Sequence, residues 1–325
     1  MILHSVADIL KNGKTFFLAS HKDPDGDAIG SLLALGEALV RAGKEVVLFN
    51  EGPLPNSMNF LGGIDKIVRT FNLESRSEFD ALLILDCGTL ERLGEISSRI
   101  GIIRPLINID HHEHNTQFGD LNFVDTNSSS VGEIIYRLIK LADLPMSRNI
   151  AESIFMAIQT DTGSFRYGNT TKEAFTIAGE MLDWGVSPWM LSRQVMDGYS
   201  LKKLRLLELT LKTIELCHEG KVGFITITQQ MFSKAKADKF NSERFVDYPR
   251  FISGVEIGVL IKEIDDGYYK VSLRSNDWVN VAELASHFGG GGHPKAAAFT
   301  RHGSLDSIKK EFLDKAHEVL IDGHS

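Results

Sequence analysis

The 325-residue sequence predicts an α/β fold in two domains. In residues 1–188, short apolar runs alternate with longer helical patterns, whereas strand patterns dominate after residue 220. The length itself, at ~150 residues per domain, also suggests about two domains. We therefore expect an N-terminal domain over 1–188 with a mostly parallel sheet flanked by helices. A helical connector over 189–219 and a smaller α+β domain over 220–325 would follow.

Four nearly uninterrupted apolar runs predict the strands of the N-terminal domain, at residues 15–20, 45–50, 80–86 and 105–110. Such runs are typical of strands that a parallel sheet buries on both faces. Apolar residues at helical spacing predict helices over 28–42, 129–142, 148–160 and 171–184. Because strands alternate with helices, the sheet should be parallel, with ligands bound at the carboxyl ends of its strands.

The pattern changes in the second half of the chain. Residues 187–219 have helical spacing throughout, with a break predicted at Gly198. Strands are then predicted over 221–228, 255–264 and 267–274, and Asp265-Asp266-Gly267 is a hairpin signal. A glycine run at 289–292 follows a short helical pattern, and residues 305–321 predict a closing amphipathic helix.

Composition excludes several classes of protein. The net charge of −8, from 35 basic and 43 acidic residues, argues against long duplex nucleic acid as a partner. Cys87 and Cys217 are too few for a disulfide framework or a cysteine zinc site. No apolar run approaches the ~20 residues of a membrane span, and the N-terminus lacks the pattern of a secretory signal. We expect a cytoplasmic protein with no membrane partner.

The first segment with candidate chemistry is residues 21–27, between the first strand and a helix. It holds His21, Asp23, Asp25 and Asp27. Three carboxylates within five residues repel one another unless a cation neutralises them. A solvated turn is an equally good interpretation of this segment alone, because Asp-Pro-Asp-Gly is ordinary turn chemistry.

Three further segments place acids or histidines at the ends of predicted elements. Asp86 ends the third strand, and Asp110-His111-His112 ends the fourth, followed by Glu113 and His114. Asp161 ends a predicted helix. Each alone could be a cap or a polar loop. Together they collect at the sheet edge where α/β folds bind ligands.

The combined set of imidazoles and carboxylates suits manganese, iron or zinc. It also fits a two-metal centre, in which cations ~3.5–4 Å apart share a carboxylate, generate hydroxide and clamp a phosphoryl group. Other motifs are missing from the sequence. It has no nucleotide-triphosphate loop, no dinucleotide fingerprint and no serine-hydrolase elbow.

Two features of the C-terminal domain suggest anion binding. The glycine run at 289–292 would let backbone N–H groups approach an anion, with His293 as an added donor. Arg274, with Ser275 beside it, is a candidate phosphate fork at a strand end. The alternatives are a flexible turn and a solvated arginine.

These motifs, in this order, resemble those of the DHH phosphoesterase superfamily. The four N-terminal motifs are His21-x-x-x-Asp25-x-Asp27, Asp86, Asp110-His111-His112 and Asp161. Gly290-Gly291-Gly292-His293 with Ala296-Ala297-Ala298 resembles the signature of the DHH-associated C-terminal domain. The resemblance covers residues 21–299. The sequences at 160–166 and 271–275 are most similar to the oligoribonuclease and pAp-phosphatase branch.

The resemblance implies a role for each residue. His21, Asp25 and Asp86 would hold one metal ion. The ligands of the second would be Asp27, Asp86, His111 and Asp161. Asp110 would orient a ligand and His112 would touch the substrate phosphate. The residues that would hold the terminal nucleotide, across an interdomain cleft, are Arg274, Ser275, Gly291, Gly292 and His293.

The same resemblance implies two Mn²⁺ ions as cofactors. The substrates would be short oligoribonucleotides, cut to mononucleotides, and 3′-phosphoadenosine 5′-phosphate (pAp), converted to AMP; a homodimer is common among relatives. Two positions depart from the pattern: Asp23, whose ligand role stays open, and Ala298, where many relatives have glycine. The alternative functions are hydrolysis of linear or cyclic dinucleotides, a pyrophosphatase, and a non-catalytic nucleotide-binding regulator.

Overall fold

The computed structural model describes residues 1–71, 79–100, 104–197 and 199–322. The chain forms two compact units, Met1–Gly198 and Tyr199–Ser325. The first contains a six-stranded parallel sheet and the second a six-stranded mixed sheet, so the predicted α/β class is confirmed. The break predicted at Gly198 lies outside the described residues.

The sheet of the first unit has the strand order β3-β2-β1-β4-β5-β6, and every neighbouring pair is parallel. The strands are β1 Thr15–Ser20, β2 Glu45–Phe49, β3 Ile67–Val68, β4 Ala81–Leu85, β5 Leu106–Asp110 and β6 Leu121–Val124. The helices are α1 Ile2–Asn12, α2 Gly26–Arg41, α3 Val131–Leu141, α4 Arg148–Asp161, α5 Lys172–Asp183 and α6 Pro188–Ser192. The four predicted strands and four predicted helices are confirmed, whereas α1, β3 and β6 were not predicted.

The central strands are buried on both faces, as their apolar runs predict. Phe16 and Leu83 pack into the core that α2, α3 and α4 cover. Phe17 and Leu82 pack into a second cluster on the opposite face, which includes Phe49. This two-sided burial fixes β1, β4 and β5 side by side, with their carboxyl ends at one edge.

Local capping determines where the helices beside that edge begin. The Asp25 carboxylate accepts hydrogen bonds from the backbone N–H groups of Asp27 and Ala28 and so caps α2. Ser130 caps α3 in the same manner. Such caps satisfy backbone donors that a helix leaves unpaired at its first turn. Asp27 is thereby held in the first turn of α2, at the sheet edge.

The sheet of the second unit has the strand order β11-β12-β10-β9-β8-β7, antiparallel except for the β8–β9 pair. The strands are β7 Glu215–Cys217, β8 Val222–Ile227, β9 Ile257–Asp265, β10 Tyr268–Ser275, β11 Gly291–His293 and β12 Ala296–His302. The helices are α7 Leu201–Leu211, α8 Gln229–Ala235, α9 Asp247–Arg250, α10 Val281–Ser286 and α11 Leu305–Asp322. The hairpin predicted at residues 265–267 joins β9 to β10.

The prediction of a helical connector that extends to residue 219 is wrong. After α6 there is a π-helical turn, Arg193–Asp197, and α7 ends at Leu211. Residues 215–217 form β7 because their backbone pairs with β8, which supplies the hydrogen bonds a helix would have provided. Leu206 and Leu207 of α7 pack against Ile225 of β8, so α7 belongs to the core of the second unit. That unit therefore begins at Tyr199, ahead of the predicted start at residue 220.

Within the part of the chain that the structure describes, no helix is both long and apolar enough to cross a membrane.

Candidate metal centre

Three adjacent strands and two helix ends bring the predicted N-terminal site residues together. His21 follows β1, Asp86 follows β4, and Asp110 is the last residue of β5. Asp27 lies in the first turn of α2 and Asp161 is the last residue of α4. Because β1, β4 and β5 are consecutive in a parallel sheet, the three strand-end residues meet at one edge.

The ligand atoms form three groups, and the members of each lie within 4.8 Å of one another. The groups are His21, Asp25 and Asp86; Asp27, His111 and Asp161; and Asp86, His111 and His112. The first contains all the residues predicted for one metal ion. The second contains three of the four predicted for the other, and the fourth, Asp86, has its Oδ1 3.9 Å from His111 Nε2.

Asp27 is 1% exposed and is held by the N-terminus of α3. Its Oδ2 accepts a hydrogen bond of 2.6 Å from Val131 N, and its Oδ1 accepts one of 2.8 Å from Gly132 N. A helix N-terminus favours negative charge. Burial nevertheless raises the pKa of Asp27 well above its ordinary value, and the charges of Asp86 and Asp161 add to this effect.

Asp86 is 2% exposed and faces three imidazoles. Its Oδ2 lies 3.5 Å from His21 Nε2 and its Oδ1 lies 3.6 Å from His112 Nδ1. Burial alone would raise the pKa of Asp86, but the hydrogen bond from His21 and the charges of His112 and His111 hold it below its ordinary value. Asp86 therefore stays ionised at the middle of the cluster.

The two consecutive histidines, His111 and His112, are oriented by residues that belong to none of the three groups. The Ser128 carbonyl lies 3.2 Å from His111 Nδ1, so the Nε2 of that ring points to Asp161, 3.5 Å away. The Asp110 carboxylate is fully buried, and its Oδ1 lies 2.6 Å from His112 Nδ1. Asp110 Oδ2 accepts a hydrogen bond of 2.5 Å from Asn115 Nδ2. Partners of this kind fix the tautomer and direction of metal-binding imidazoles.

Protonation in the cluster reflects the crowding of charges. Burial would lower the pKa of His111, but Asp161, Asp27 and Asp86 raise it to about 9. Burial raises the pKa of Asp161 to about 7, against the charge of His111. A cluster that retains protons near neutral pH has more negative charge than its own imidazoles can balance.

The cluster fits divalent metal ions. It offers carboxylate and imidazole donors and no thiolate, the set that suits manganese and its neighbours. The Nδ1 atom of the buried His21 ring has no hydrogen-bond partner in the described part of the chain. A buried polar atom without a partner is unfavourable, and it marks a position where something polar is accommodated. The predicted metal-binding role of these residues is therefore chemically consistent.

Three residues of the segments predicted to form the site lie outside the cluster, and three residues that contact it were not predicted. Asp23, Glu113 and His114 are exposed and belong to none of the three groups. The missed residues are Asn115, Ser128 and Asn169; the Asn169 side-chain amide lies 3.4 Å from Asp161 Oδ2. Asn115 directly follows the His-rich run and could have been suspected. Ser128 and Asn169 act from loops that no sequence pattern connects to the strand ends.

The residues predicted in the second unit lie on β10 and β11. Arg274 and His293 both pair with Ala296 of β12, from either side, so their side chains share one face of the sheet. Ser275 is 1% exposed on the other face, and its hydroxyl donates a 3.0 Å hydrogen bond to Glu256. Its role in substrate binding stays a prediction.

The glycine run forms a turn followed by a strand. Gly289 lies in the turn with φ +74°, and Gly291–His293 forms β11 because it pairs with β12. At Gly292, with φ +148°, a Cβ atom would come within 2.4 Å of the Ala296 carbonyl oxygen. Only glycine fits this close approach of two backbones.

Comparison with known proteins agrees with this geometry. Residues 15–158 match the DHH family, N-terminal domain, and residues 223–322 match the DHHA1 domain. A Thermus thermophilus relative named bifunctional oligoribonuclease and PAP phosphatase NrnA is 31% identical over 97% of this chain and 93% of its own. A Bacillus subtilis relative of the same name is 30% identical over 94% of this chain and 96% of its own.

A solved structure has the same fold. The crystal structure of an exopolyphosphatase-related protein from Bacteroides fragilis superimposes with a TM-score of 0.90. It is 27% identical and covers 98% of this chain and 96% of that one. The chain therefore belongs to the DHH family of phosphoesterases, which are metal-dependent hydrolases, and joins the DHH N-terminal domain to a DHHA1 domain.

Proposed function

We propose that this protein hydrolyses short oligoribonucleotides to mononucleotides and converts pAp to AMP, using two Mn²⁺ ions. The observation that carries the proposal is the set of three donor groups that overlap at Asp86 and His111. The names of the Thermus thermophilus and Bacillus subtilis relatives, which match almost end to end, support these substrates.

The three donor groups support a division of labour among the ligands. His21, Asp25 and Asp86 would hold one ion, and Asp27, Asp86, His111 and Asp161 would hold the other, with Asp86 shared. Such a pair of ions would supply an activated water and stabilise the attacking and leaving oxygens of the phosphoryl transfer. The carboxylate-rich ligand set favours Mn²⁺ over softer metals.

The remaining polar residues act on the substrate. Asp110 holds His112 by its Nδ1, so Nε2 is the nitrogen that would donate to a phosphate oxygen. The same hydrogen bond raises the pKa of His112 above its ordinary value, against the effect of burial. A protonated His112 would stabilise the negative charge of the phosphate. In the second unit, Arg274 and His293 would bind the terminal nucleotide on one face of the sheet.

Product analysis by chromatography tests the proposal. Metal-stripped protein is incubated with 5′-phosphorylated diadenylate and, separately, with pAp, each with and without Mn²⁺. We expect AMP from both substrates only when Mn²⁺ is present. Cyclic diadenylate and pyrophosphate serve as comparison substrates. If the folded, Mn²⁺-loaded protein releases AMP from neither proposed substrate, the proposal is wrong, and activity on a comparison substrate would replace it.

A further inference from the structure

One segment of the first unit contacts two candidate ligands of the same donor group. Residues 125–132 lead from β6 into the first turn of α3, and we call them the α3 entry segment. Its backbone N–H groups in that first turn donate to both carboxylate oxygens of Asp27. Its Ser128 carbonyl oxygen lies 3.2 Å from His111 Nδ1. The segment therefore orients a carboxylate and an imidazole that lie side by side.

The third member of that group, Asp161, is linked to the segment through one amide. Asn169 Nδ2 donates a hydrogen bond of 3.0 Å to the Ser129 carbonyl oxygen and one of 3.4 Å to Asp161 Oδ2. All three members of the group are thus positioned by the α3 entry segment, two directly and one through Asn169.

The donor group of His21, Asp25 and Asp86 is held by other contacts. Asp25 caps α2, and His21 Nε2 lies 3.5 Å from Asp86 Oδ2. Among the described residues, no hydrogen bond joins these three side chains to the α3 entry segment. A displacement of the segment should therefore affect the two donor groups unequally.

A buried carboxylate, Glu133, fixes the segment to α3. Glu133 is 3% exposed, and its Oε2 accepts hydrogen bonds of 3.0 Å from Ser129 N and 2.9 Å from Ser129 Oγ. Its Oε1 lies 3.7 Å from Arg137 Nη2, one turn further along α3. Burying a charge is unfavourable unless it is paired and hydrogen-bonded, so these contacts explain why Glu133 is tolerated there.

Arg137 extends the same network to the beginning of the segment. Its Nη2 donates a hydrogen bond of 2.9 Å to Asp125 Oδ2 and another to the Ser128 hydroxyl. The Ser128 hydroxyl in turn donates a 2.8 Å hydrogen bond to Asp125 Oδ2. Residues 125–129 are therefore held against α3 by Glu133 and Arg137 together.

We propose that Glu133 is a positioning residue for only one of the two ions, the ion whose donor group the α3 entry segment contacts. Glu133 belongs to none of the three donor groups and acts on the ligands through Ser129 and the backbone of the segment. Outer partners of metal ligands commonly contribute 10–100-fold to metal affinity. The inference rests on the two-ion centre of the proposed function.

Glu133→Gln keeps the shape of the side chain but cannot keep its contacts. If the amide oxygen faces Ser129, the amide NH₂ group faces the donors of Arg137. If the amide is turned the other way, both Ser129 donors lose their acceptor. A contribution of Glu133 to helix capping alone would stabilise α3 without distinguishing between the ions.

Mn²⁺ binding by full-length chains that each keep one donor group tests the proposal. His21→Ala retains the group that contains Asp27, and Asp27→Asn retains the group that contains His21. Each chain is titrated with Mn²⁺ with and without Glu133→Gln, and electron paramagnetic resonance measures the free ion. We expect Glu133→Gln to weaken binding about 10–100-fold in the His21→Ala chain and less than about twofold in the Asp27→Asn chain.

Glu37→Gln is the matched control. Glu37 is a half-buried carboxylate of α2 that accepts hydrogen bonds of 2.6 Å from the Ser147 hydroxyl and 2.8 Å from Arg41 Nε. The same substitution there disturbs a similar network of serine, glutamate and arginine, and it should change Mn²⁺ binding by less than about twofold in both chains.

Ser129→Ala replaces Glu133→Gln if circular dichroism shows that the latter does not fold. It removes only the hydroxyl that donates to Glu133. We expect it to weaken Mn²⁺ binding about threefold in the His21→Ala chain and to leave the Asp27→Asn chain unchanged.

Equal losses in the two chains, or equal effects of Glu133→Gln and Glu37→Gln, would overturn the inference. Absence of Mn²⁺ binding by the His21→Ala chain would also overturn it. Selective loss, in a protein whose wild type hydrolyses neither diadenylate nor pAp, would support the positioning role and reject the proposed function. Unselective loss, in a protein whose wild type releases AMP from both, would reject the positioning role alone.

Discussion

Asp86 is the residue on which the chemistry of the cluster depends most. It is buried, it stays ionised, and its oxygens face His21, His111 and His112. Its backbone is also in the left-handed region, with φ +56°, which is uncommon for a residue with a side chain. Such conformations cluster at functional sites, where the surrounding structure enforces them. The turn after β4 therefore aims the carboxylate between His21 and the two consecutive histidines, His111 and His112.

Replacing Asp86 with Asn tests this role. Asn tolerates a positive φ as well as Asp does, so the fold should persist. The substitution removes the charge that both ions would share, and we expect kcat to fall by at least about a thousandfold. Steady-state AMP release measures the effect, with circular dichroism as the check on folding. Asp143→Asn is the matched control, because Asp143 is exposed with φ +53°; comparable activity in the two variants would contradict the role of Asp86.

Proton release on metal binding follows from the pKa values of His111 and Asp161. His111, with a pKa of about 9, is protonated at pH 7, and Asp161, with a pKa of about 7, is partly protonated. A metal ion binds the deprotonated forms, so binding must release protons and strengthen as pH rises from 6 to 8. Calorimetry of Mn²⁺ binding in two buffers of different ionisation enthalpy measures the protons released. Binding enthalpies that are equal in both buffers would contradict this assignment.

The candidate site residues of the first unit could be predicted from the sequence because each lies at or beside one end of an element that the sequence predicts. His21, Asp86 and Asp110 follow apolar runs, and parallel pairing places the ends of those runs together. Other groups that orient these side chains could not be predicted in this way. Ser128 acts through a backbone carbonyl and Asn169 from a loop, and neither contribution leaves a pattern in residue type or spacing.

At the scale of elements, the contact between α2 and α4 sets the distance between the candidate ligands that the two helices carry. Asp27 lies at the start of α2 and Asp161 at the end of α4. The two helices approach closely where Gly30 faces α4, and a Cβ atom on Gly30 would lie 2.5 Å from the Ser153 carbonyl oxygen. A glycine in the middle of a helix is unfavourable on propensity alone, so this one is present for the close approach.

Gly30→Ala should therefore push α2 away from α4. We expect the variant to lose about 1–3 kcal/mol of unfolding free energy through overpacking and to bind Mn²⁺ more weakly. Gly179→Ala is the control, because Gly179 is in α5 with open space around its Cβ position. At that position, the same change should raise the unfolding free energy by about 0.5–1 kcal/mol. Urea unfolding measures both, and equal effects of the two substitutions would contradict the packing argument.

The prediction from sequence failed for the segment 187–219. Its apolar spacing is helical to Leu211, but β7 forms beyond it because an edge of the second sheet is available to pair with residues 215–217. Tertiary pairing overrides local propensity at such short edge strands. The two-residue β3 and the four-residue β6 were missed for the same reason.

At the scale of the whole molecule, the net charge of −8 conceals where negative charge is concentrated. The cluster in the first unit gathers Asp25, Asp27, Asp86 and Asp161. Two divalent ions would bring four positive charges to this point. An acidic protein can therefore bind a phosphorylated substrate at such a site, because the local charge of the metal-loaded site differs from the net charge of the chain.

Removing metal should lower the stability of the protein. Ligands that bind only the folded state stabilise it, by about 2.7 kcal/mol at a hundred times the dissociation constant. For a unit of this size the corresponding fall in Tm on chelation is about 5–10 °C. Thermal unfolding with excess EDTA or excess Mn²⁺ measures it. Asp86→Asn should show a much smaller difference, and a wild-type Tm that is the same in both conditions would contradict the expectation.

The central claim, that the cluster is a two-ion centre with Asp86 shared, is tested most directly by counting bound manganese. Metal-stripped wild-type protein is dialysed against Mn²⁺, and bound metal per chain is measured by atomic emission, with electron paramagnetic resonance to detect coupling between ions. We expect two Mn²⁺ ions per chain, magnetically coupled, and loss of the coupling in Asp86→Asn. A single uncoupled ion in the wild type, or undiminished coupling in the variant, would contradict the claim.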